Sequence, residues 1–311
     1  MHLCTGVFPF GNWKAGNEME YVVPSFSKLN LTLRAISRQD DGFHQLISLF
    51  LRLPPTELLT INELSHHNVK DIVETVNIQI EGENILSKVL AHGRDENKDL
   101  LPLQVRIFKS IPPGTGLGAG SGNAAALIGF LRTRYQLDLP VEAVKNIGSD
   151  VHFLLNTKGI SLVAGLGERI ENLSGRLEKR ICLFIPPWRS VTSVAYERLD
   201  SHYGIKGYPL GEVEAREEAL AVFGGLLKGE HLGLLPNDFL PVLLNEHPEY
   251  ERLFNICKDR GAQAWGITGS GSAAFGIFDP LQETGPLEGK GLERMDKIFI
   301  TGVMIDERRQ N

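Results

Sequence analysis

The stretch Ile111-Pro-Pro-Gly-Thr-Gly-Leu-Gly-Ala-Gly-Ser-Gly-Asn-Ala-Ala-Ala126 holds five glycines (Gly114, Gly116, Gly118, Gly120 and Gly122) alternating with small residues. Glycines at this density let backbone N–H groups approach an anion and adopt positive φ without a Cβ clash. Leu103 to Ile107 alternates like a strand on one side of the stretch. On the other side Ala124, Leu127, Ile128 and Leu131 form one helical stripe. A helix entered from such a loop points its positive end at the loop, so phosphate is the expected guest.

Two other phosphate loops and a plain linker compete with this reading. A Walker A loop would end in Gly-Lys-Ser/Thr, which is missing. Gly114-x-Gly116-x-x-Ala119 fits a loose dinucleotide fingerprint, but Pro112-Pro113 sits where that fold makes its tight turn, and the glycines continue past it. A flexible linker has no strand on one side and amphipathic helix on the other.

Two further segments stand in order around the loop. Pro24-Ser-Phe-Ser-Lys28-Leu-Asn30-Leu-x-Leu-Arg34 leads into Asp41-Gly-Phe-His44-x-Leu-Ile-Ser-Leu-Phe50, and Gly269-Ser-Gly-Ser272-Ala-Ala-Phe-Gly276-Ile-Phe278 closes the set. Together with Pro113-x-Gly-x-Gly-Leu-Gly-x-Gly-Ser-x-Asn-Ala-Ala125, they resemble the motifs of the GHMP kinases, and most of all the branch that acts on 4-diphosphocytidyl-2-C-methyl-D-erythritol. The matches run from about Ser25 to Phe278.

The 311 residues exceed the usual size of one core and fit two domains. A hydrophobic fraction of 42% is ordinary for a globular protein, and no apolar run is long enough to span a bilayer. Residues 1–20 lack a basic start, a continuous apolar stretch and any arginine, so neither a signal nor a transit peptide is expected. Cys4, Cys182 and Cys257 are odd in number and unpaired in spacing, which excludes a disulfide framework or zinc site and points to the cytoplasm. Cys257 shares a stripe with Tyr250, Leu253 and Phe254 and is expected in the core. A formal charge of -6 without a basic run disfavours nucleic acid, and no membrane partner is expected. A small anionic substrate can still bind where a few cations and amide dipoles converge.

Hydrophobic patterns place strands near residues 29–36, 46–53 and 103–109, a helix to Tyr135, and a short helix Val141–Ile147 stopping at a left-handed Gly148. Strands follow at Ile160–Ala164 and Ile181–Ile185. The later part turns helical at Gly211–Lys228 and Pro248–Arg260, and Ala264–Thr268 with Ala273–Phe278 reads as a hairpin. Strands followed by segregated helices imply an α+β class. The resemblance implies a two-domain GHMP-kinase fold with a ribosomal-S5-like N-terminal domain and a ferredoxin-like C-terminal domain. We divide the chain into 1–178, carrying the glycine loop, and 179–311, binding substrate.

Phosphoryl transfer needs a phosphate cradle, a cation against developing charge and a group that handles the attacking hydroxyl's proton. Lys28 interrupts an apolar strand pattern and by itself reads as a lysine snorkelling from a sheet edge. Asn30 lies two residues on and shares its face. Asp150 reads as an N-cap or as a carboxylate base. Ser121 suits phosphate, Mg²⁺ or a helix cap, and for Asn123 capping is favoured. His44 and Tyr196 fit the core as well as a pocket.

The resemblance implies that Lys28 is the catalytic lysine and Asp150 the base. It implies an ATP site made by Pro113, Gly114, Gly116, Leu117, Gly118, Gly120, Ser121 and Gly122, with Mg²⁺ at Ser121. It further implies a cytidine-diphosphate-linked substrate held by Asn30, Phe43, His44, Thr192, Tyr196, Gly269, Ser270 and Gly271. The reaction implied is transfer of the γ-phosphoryl group of ATP to the substrate's 2-hydroxyl in non-mevalonate isoprenoid synthesis. A sibling GHMP kinase on another small alcohol and a catalytically silent nucleotide-binding module are the alternatives. Three positions depart from the family pattern: Phe43 stands where Tyr is usual, Gly122 where a second Ser or Thr is usual, and His152 where Pro is usual.

Overall fold

A computed structural model of the chain describes residues 11–15, 18–40, 42–65, 70–155, 159–175, 177–204, 207–281, 287–288 and 292–305. The N-terminal stretch with Cys4 lies outside them. The class is α+β, with two compact units interleaved in sequence. One comprises residues up to Phe26, Pro55–Ser110 and Gly120–Val151; the other Ser27–Pro54, Ile111–Ala119 and everything from His152 on.

In the first unit Leu103–Phe108 is the middle strand. It pairs antiparallel with residues 58–63 and parallel with Ile72–Val76. Leu103, Val105 and Ile107 are fully buried while Arg106 and Phe108 are exposed, the alternation of a sheet covered on one face. The helix Ala119–Tyr135 buries Ala124, Leu127, Ile128 and Leu131, the expected stripe, and Phe130 as well, whose ring meets Tyr21 edge-on at 5.1 Å. Helix Ile85–Glu96 begins at Asn84, whose side chain accepts the Leu86 N–H.

In the second unit residues 46–51 pair antiparallel with Ile160–Gly165. Both sets belong to strands, the former to a single strand His44–Glu63. The expected strand ended at 53, before Pro54-Pro55. Those prolines lack the N–H a ladder needs, and they fall between the stretch paired to Ile160–Gly165 and the stretch paired to Leu103–Phe108. The expected strand at 29–36 is interrupted. Glu18–Asn30 ends, and Arg34–Arg38 begins after Leu33 turns its N–H to the Pro236 carbonyl and accepts from the Asp238 N–H.

A five-stranded sheet in the same unit runs Gly233–Leu234, Ala264–Ile267, Ala274–Phe278, Leu177–Ile185, Asp296–Ile305. Ala264–Ile267 and Ala274–Phe278 form the expected antiparallel hairpin. Helix Glu249–Asp259 buries Tyr250, Leu253, Phe254 and Cys257, and burial pushes the Cys257 thiol up to about 12. Helices Thr192–Tyr203, Glu212–Lys228 and Leu240–Glu246 complete the unit's main helices. Among the described residues no helix is long and apolar enough to cross a membrane.

One expected feature is corrected. Val141–Ile147 does stop at Gly148, but Gly148 has φ 173°, extended rather than left-handed. What restricts this position is space, since a Cβ there would lie 3.2 Å from the Ser121 Oγ.

Candidate active site

Gly114, Gly116 and Gly118 all have positive φ, at 73°, 77° and 65°, and the helix begins at Ala119. The four consecutive carbonyls from Gly114 to Leu117 are tied back into the protein. Gly114 O accepts from the N–H groups of Ser190 and Ser272, Thr115 O from Ala273, and Leu117 O from Lys28. Gly116 O accepts from the Thr268 hydroxyl at 3.2 Å. In a trans peptide the next N–H points opposite to the C=O. The amides of Thr115, Gly116, Leu117 and Gly118 therefore turn away from these partners, as donors suited to phosphate oxygens. A side chain at Gly116 would destroy the arrangement, because its Cβ would fall 2.1 Å from Thr268 O.

The second glycine segment braces this loop. Gly269 has φ 59° and lies so near Gly116 that a Cβ would sit 3.2 Å from its carbonyl oxygen. Ser270 is buried, and its carbonyl accepts from Ser190 Oγ at 2.9 Å. Asn237 donates to the carbonyls of Ile267 and Gly269. Gly271 O stands 3.0 Å from where a Gly116 Cβ would be, so Gly269, Ser270 and Gly271 all have a part in holding the loop's shape.

Lys28 does not snorkel from an edge. It is only 4% exposed, its Nζ donates to Asn30 Oδ1 at 2.5 Å and lies 5.0 Å from the centre of the Phe50 ring. Asn30 is the hub of a polar cluster: its N–H donates to Thr268 Oγ1, and its Nδ2 donates to Ser48 Oγ, both at 2.9 Å. The single Thr268 hydroxyl proton serves either Asn30 Oδ1 or Gly116 O. Lys28 and Asn30 are thereby connected to the glycine loop twice, through Thr268 and through the Lys28 N–H. Thr268 and Ser48 were not singled out from sequence; Ser48 lies inside one motif segment and Thr268 directly before another, and only the fold brings them to Asn30.

Gly120, Ser121 and Gly122 belong to the first turn of the helix, not to an extended loop. Ser121 and Asn123 stand too far inside that helix to be its N-cap, which corrects the capping reading of both. Asn123 is buried and accepts from Ser25 Oγ at 2.7 Å. Gly122 is a packing glycine, since a Cβ would fall 1.8 Å from Phe26 O, whereas Gly120 has open space around it. That accounts for glycine where the family usually carries Ser or Thr. The hydroxyl of Ser121 lies against the Gly148 turn, two residues before Asp150. Asp150 is half-buried at the entry of helix Val151–Leu155, after a turn closed by Val151 N–H to Gly148 O.

His44 is buried and its Nε2 lies 2.7 Å from Asp200 Oδ1. Tyr196 stacks directly on it, with ring centres 4.4 Å apart and 22° between planes, and Phe239 meets Tyr196 edge-on. A base cannot lie between His44 and Tyr196 without about doubling that separation. Phe43 is 63% exposed and Thr192, the first residue of its helix, is exposed too. The sequence reading missed Asp200 and Tyr208, whose hydroxyl donates to Asp200 at 2.5 Å. Asp200 stands four residues after Tyr196 on one helix face, the spacing that could have signalled it.

Known proteins share this arrangement of segments. A family model described as the GHMP kinases N terminal domain matches residues 84–165, and one described as GHMP kinases C terminal matches residues 215–284. A 4-diphosphocytidyl-2-C-methyl-D-erythritol kinase of Chlorobium limicola is 31% identical over 84% of this chain and 89% of its own. The chain belongs to the GHMP kinase family. A relative of the same name from Caldicellulosiruptor saccharolyticus is 28% identical over 93% of this chain and 97% of its own. Two crystal structures share the fold. A 4-(cytidine 5'-diphospho)-2C-methyl-D-erythritol kinase aligns with TM-score 0.69 at 23% identity, covering 91% of this chain and all of its own. The homoserine kinase of Cytophaga hutchinsonii aligns with TM-score 0.65 at 15% identity, covering 94% and 97%. The expected two-domain GHMP-kinase fold is the fold observed.

Proposed function

We propose that this kinase transfers the γ-phosphoryl group of ATP to the 2-hydroxyl of 4-diphosphocytidyl-2-C-methyl-D-erythritol, a step of non-mevalonate isoprenoid synthesis. The observation that carries the phosphotransfer half is the glycine loop, whose carbonyls from Gly114 to Leu117 are drawn inward while a buried lysine is anchored to it. The substrate half is supported by relatives of that name along most of the chain.

The residues divide the work as follows. Amides of the segment Pro113 to Gly118 cradle the phosphates, and Gly120 leaves room for them at the helix start. Lys28 stabilises charge on the transferred group, with Asn30 fixing its ammonium. Asp150 accepts the proton of the attacking hydroxyl. Phe43, exposed beside His44, offers a face to the cytosine, His44 reads the base edge, and Thr192 contacts the polar part of the substrate.

Mg²⁺ in such enzymes is held by one or two protein oxygens together with substrate phosphates. Among the described residues no cluster of three His, Cys, Asp or Glu side chains could cage a metal. The Ser121 hydroxyl, at the first turn of the helix, suits the sparse protein share of a nucleotide-borne ion. When bound, that ion would neutralise phosphate charge; the remaining roles belong to the chain's own groups. The reading also puts the enzyme in the cytoplasm, in keeping with Cys182 and Cys257 as free thiols. We retain 1–178 and 179–311 as the functional division, which leaves the two family-model matches on opposite sides.

The test is an ATP-consumption assay with Mg²⁺ on the full chain. ATP should be used only when the cytidine-diphospho-methylerythritol is supplied. Equal turnover with mevalonate or homoserine would replace the substrate by a sibling's. No turnover with any alcohol, alongside intact nucleotide binding, would leave a silent module.

A further inference from the structure

His44 sits in a network that fixes which of its ring nitrogens carries a proton. Asp200 Oδ1 receives both His44 Nε2, at 2.7 Å, and the Tyr208 hydroxyl, at 2.5 Å. Arg38 Nε stands 3.5 Å from Asp200 Oδ2, on the strand paired with that of His44. Tyr196 covers one face of the imidazole, and the Tyr208 ring meets it edge-on at 6.0 Å. Burial works against charge on Asp200, but hydrogen bonds from Tyr208 and His44, and after them positive charge at His44 and Arg38, hold its carboxyl below the ordinary range. Asp200 is therefore ionised at neutral pH and can only accept. The proton must be on His44 Nε2, and in a neutral ring Nδ1, on the backbone side of the imidazole, then has a lone pair.

A lone pair at that position distinguishes two pyrimidines that differ little in shape. The 4-position of cytosine carries an amine that donates, while that of uracil carries a carbonyl that only accepts. We propose that Asp200, with Tyr208 behind it, is a positioning residue that sets the His44 tautomer and so makes the site select cytidine over uridine diphosphates. This inference rests on the reading that His44 faces the base.

The experiment compares binding of CDP and UDP by calorimetry in the wild type, Asp200→Asn and Tyr208→Phe, with ADP as control, and follows ring ¹⁵N shifts of His44. The wild type should prefer CDP by at least about tenfold, the scale of one hydrogen bond exchanged for an acceptor–acceptor clash. It should also show a proton on Nε2. In Asp200→Asn an amide can either donate or accept, so both tautomers are allowed. The preference should fall to within about threefold, with ADP binding unchanged and, in turnover, KM raised more than kcat. Tyr208→Phe should give a smaller loss in the same direction.

A wild type indifferent to the base would overturn the assignment of His44 to the base, and this inference with it. A selective wild type whose Asp200→Asn variant stays equally selective would overturn the inference and leave the kinase reading intact. Should Asp200→Asn fail to fold, the wild-type shifts still decide, because a proton on Nδ1 refutes the tautomer lock.

Discussion

Two glycines in the same helical turn should respond oppositely to the same substitution. Gly120 and Gly122 both lie in the first turn of helix Ala119–Tyr135. In a helix interior Ala is favoured over Gly by about 0.8–1.0 kcal/mol. Around a Cβ built on Gly120 there is nothing within 4 Å, so Gly120→Ala should gain up to about that amount. At Gly122 the new carbon would lie 1.8 Å from Phe26 O, a backbone atom that cannot swing aside. Helix and strand must then part by more than 1 Å, and overpacking of this kind costs about 1–3 kcal/mol, more than the propensity gain. Chemical denaturation in urea without nucleotide separates the two: the midpoint should rise for Gly120→Ala and fall for Gly122→Ala at similar slope. ATP binding adds a second axis, since the open space at Gly120 is where phosphate is proposed to lie. Gly120→Ala should therefore be more stable yet bind ATP more weakly, by about tenfold. A Gly122→Ala protein as stable as the original would refute the packing argument, and a Gly120→Ala protein with unchanged ATP affinity would move the phosphates elsewhere.

Asp150→Asn should melt near the wild-type temperature and bind ATP normally while turnover falls by at least about 100-fold, because the amide cannot accept the proton; stopped-time ATP assays decide it. Retained turnover would remove Asp150 from the chemistry. Asp200 has a lowered folded pKa, so its stabilisation is complete above the unfolded carboxyl value of about 3.9 and is lost as pH falls through the folded value. The stability that Asp200 confers over Asp200→Asn should thus shrink as pH falls below about 4, measured by urea titrations at each pH. Cys182 and Cys257 are buried with thiols pushed well up by desolvation. Neither should react with a disulfide reagent at pH 8 until the protein is unfolded, and rapid labelling of either, located by mass spectrometry, would contradict their burial.

Legibility in the sequence followed the range of the interaction. The stripe Ala124, Leu127, Ile128, Leu131 and the alternation Leu103, Val105, Ile107 are local patterns, and each turned out buried as its period implied. The hairpin over Gly269–Ser272 was equally local. Helix Ile85–Glu96 was not read from the sequence, although Asn84 caps it and Leu86, Val89, Leu90 and Gly93 form its buried stripe. That signal was available. The interruption at Leu31–Leu33 was not, because its cause is the segment around Pro236 and Asp238, some two hundred residues away. The interleaving of the two units is of the same kind: no composition shift marks residues 27–54 as companions of the C-terminal half.

At the site the same division explains why residue types were easier to read than their partners. Lys28 alone could be a solvated edge lysine, and its burial follows from Asn30, Phe50, Ser48 and Thr268, which come from three separate segments. The glycines announced positive φ, but not which way their amides would face. That direction is set by acceptors used elsewhere, with Gly114, Thr115, Gly116 and Leu117 each giving their carbonyl to a group in the lysine strand, the Ser190 turn or the second glycine segment. A loop so constrained loses little conformational freedom when an anion arrives, which is the main cost of binding to a flexible glycine run. Hence the third motif, Gly269 to Ser272, has a reason to accompany the first even without touching a ligand: it converts a sequence that would otherwise be a linker into a preorganised row of donors. Alanine at Gly269, a backbone position at φ 59° pressed on Gly116, should then weaken ATP binding through the loop rather than through any lost contact of its own.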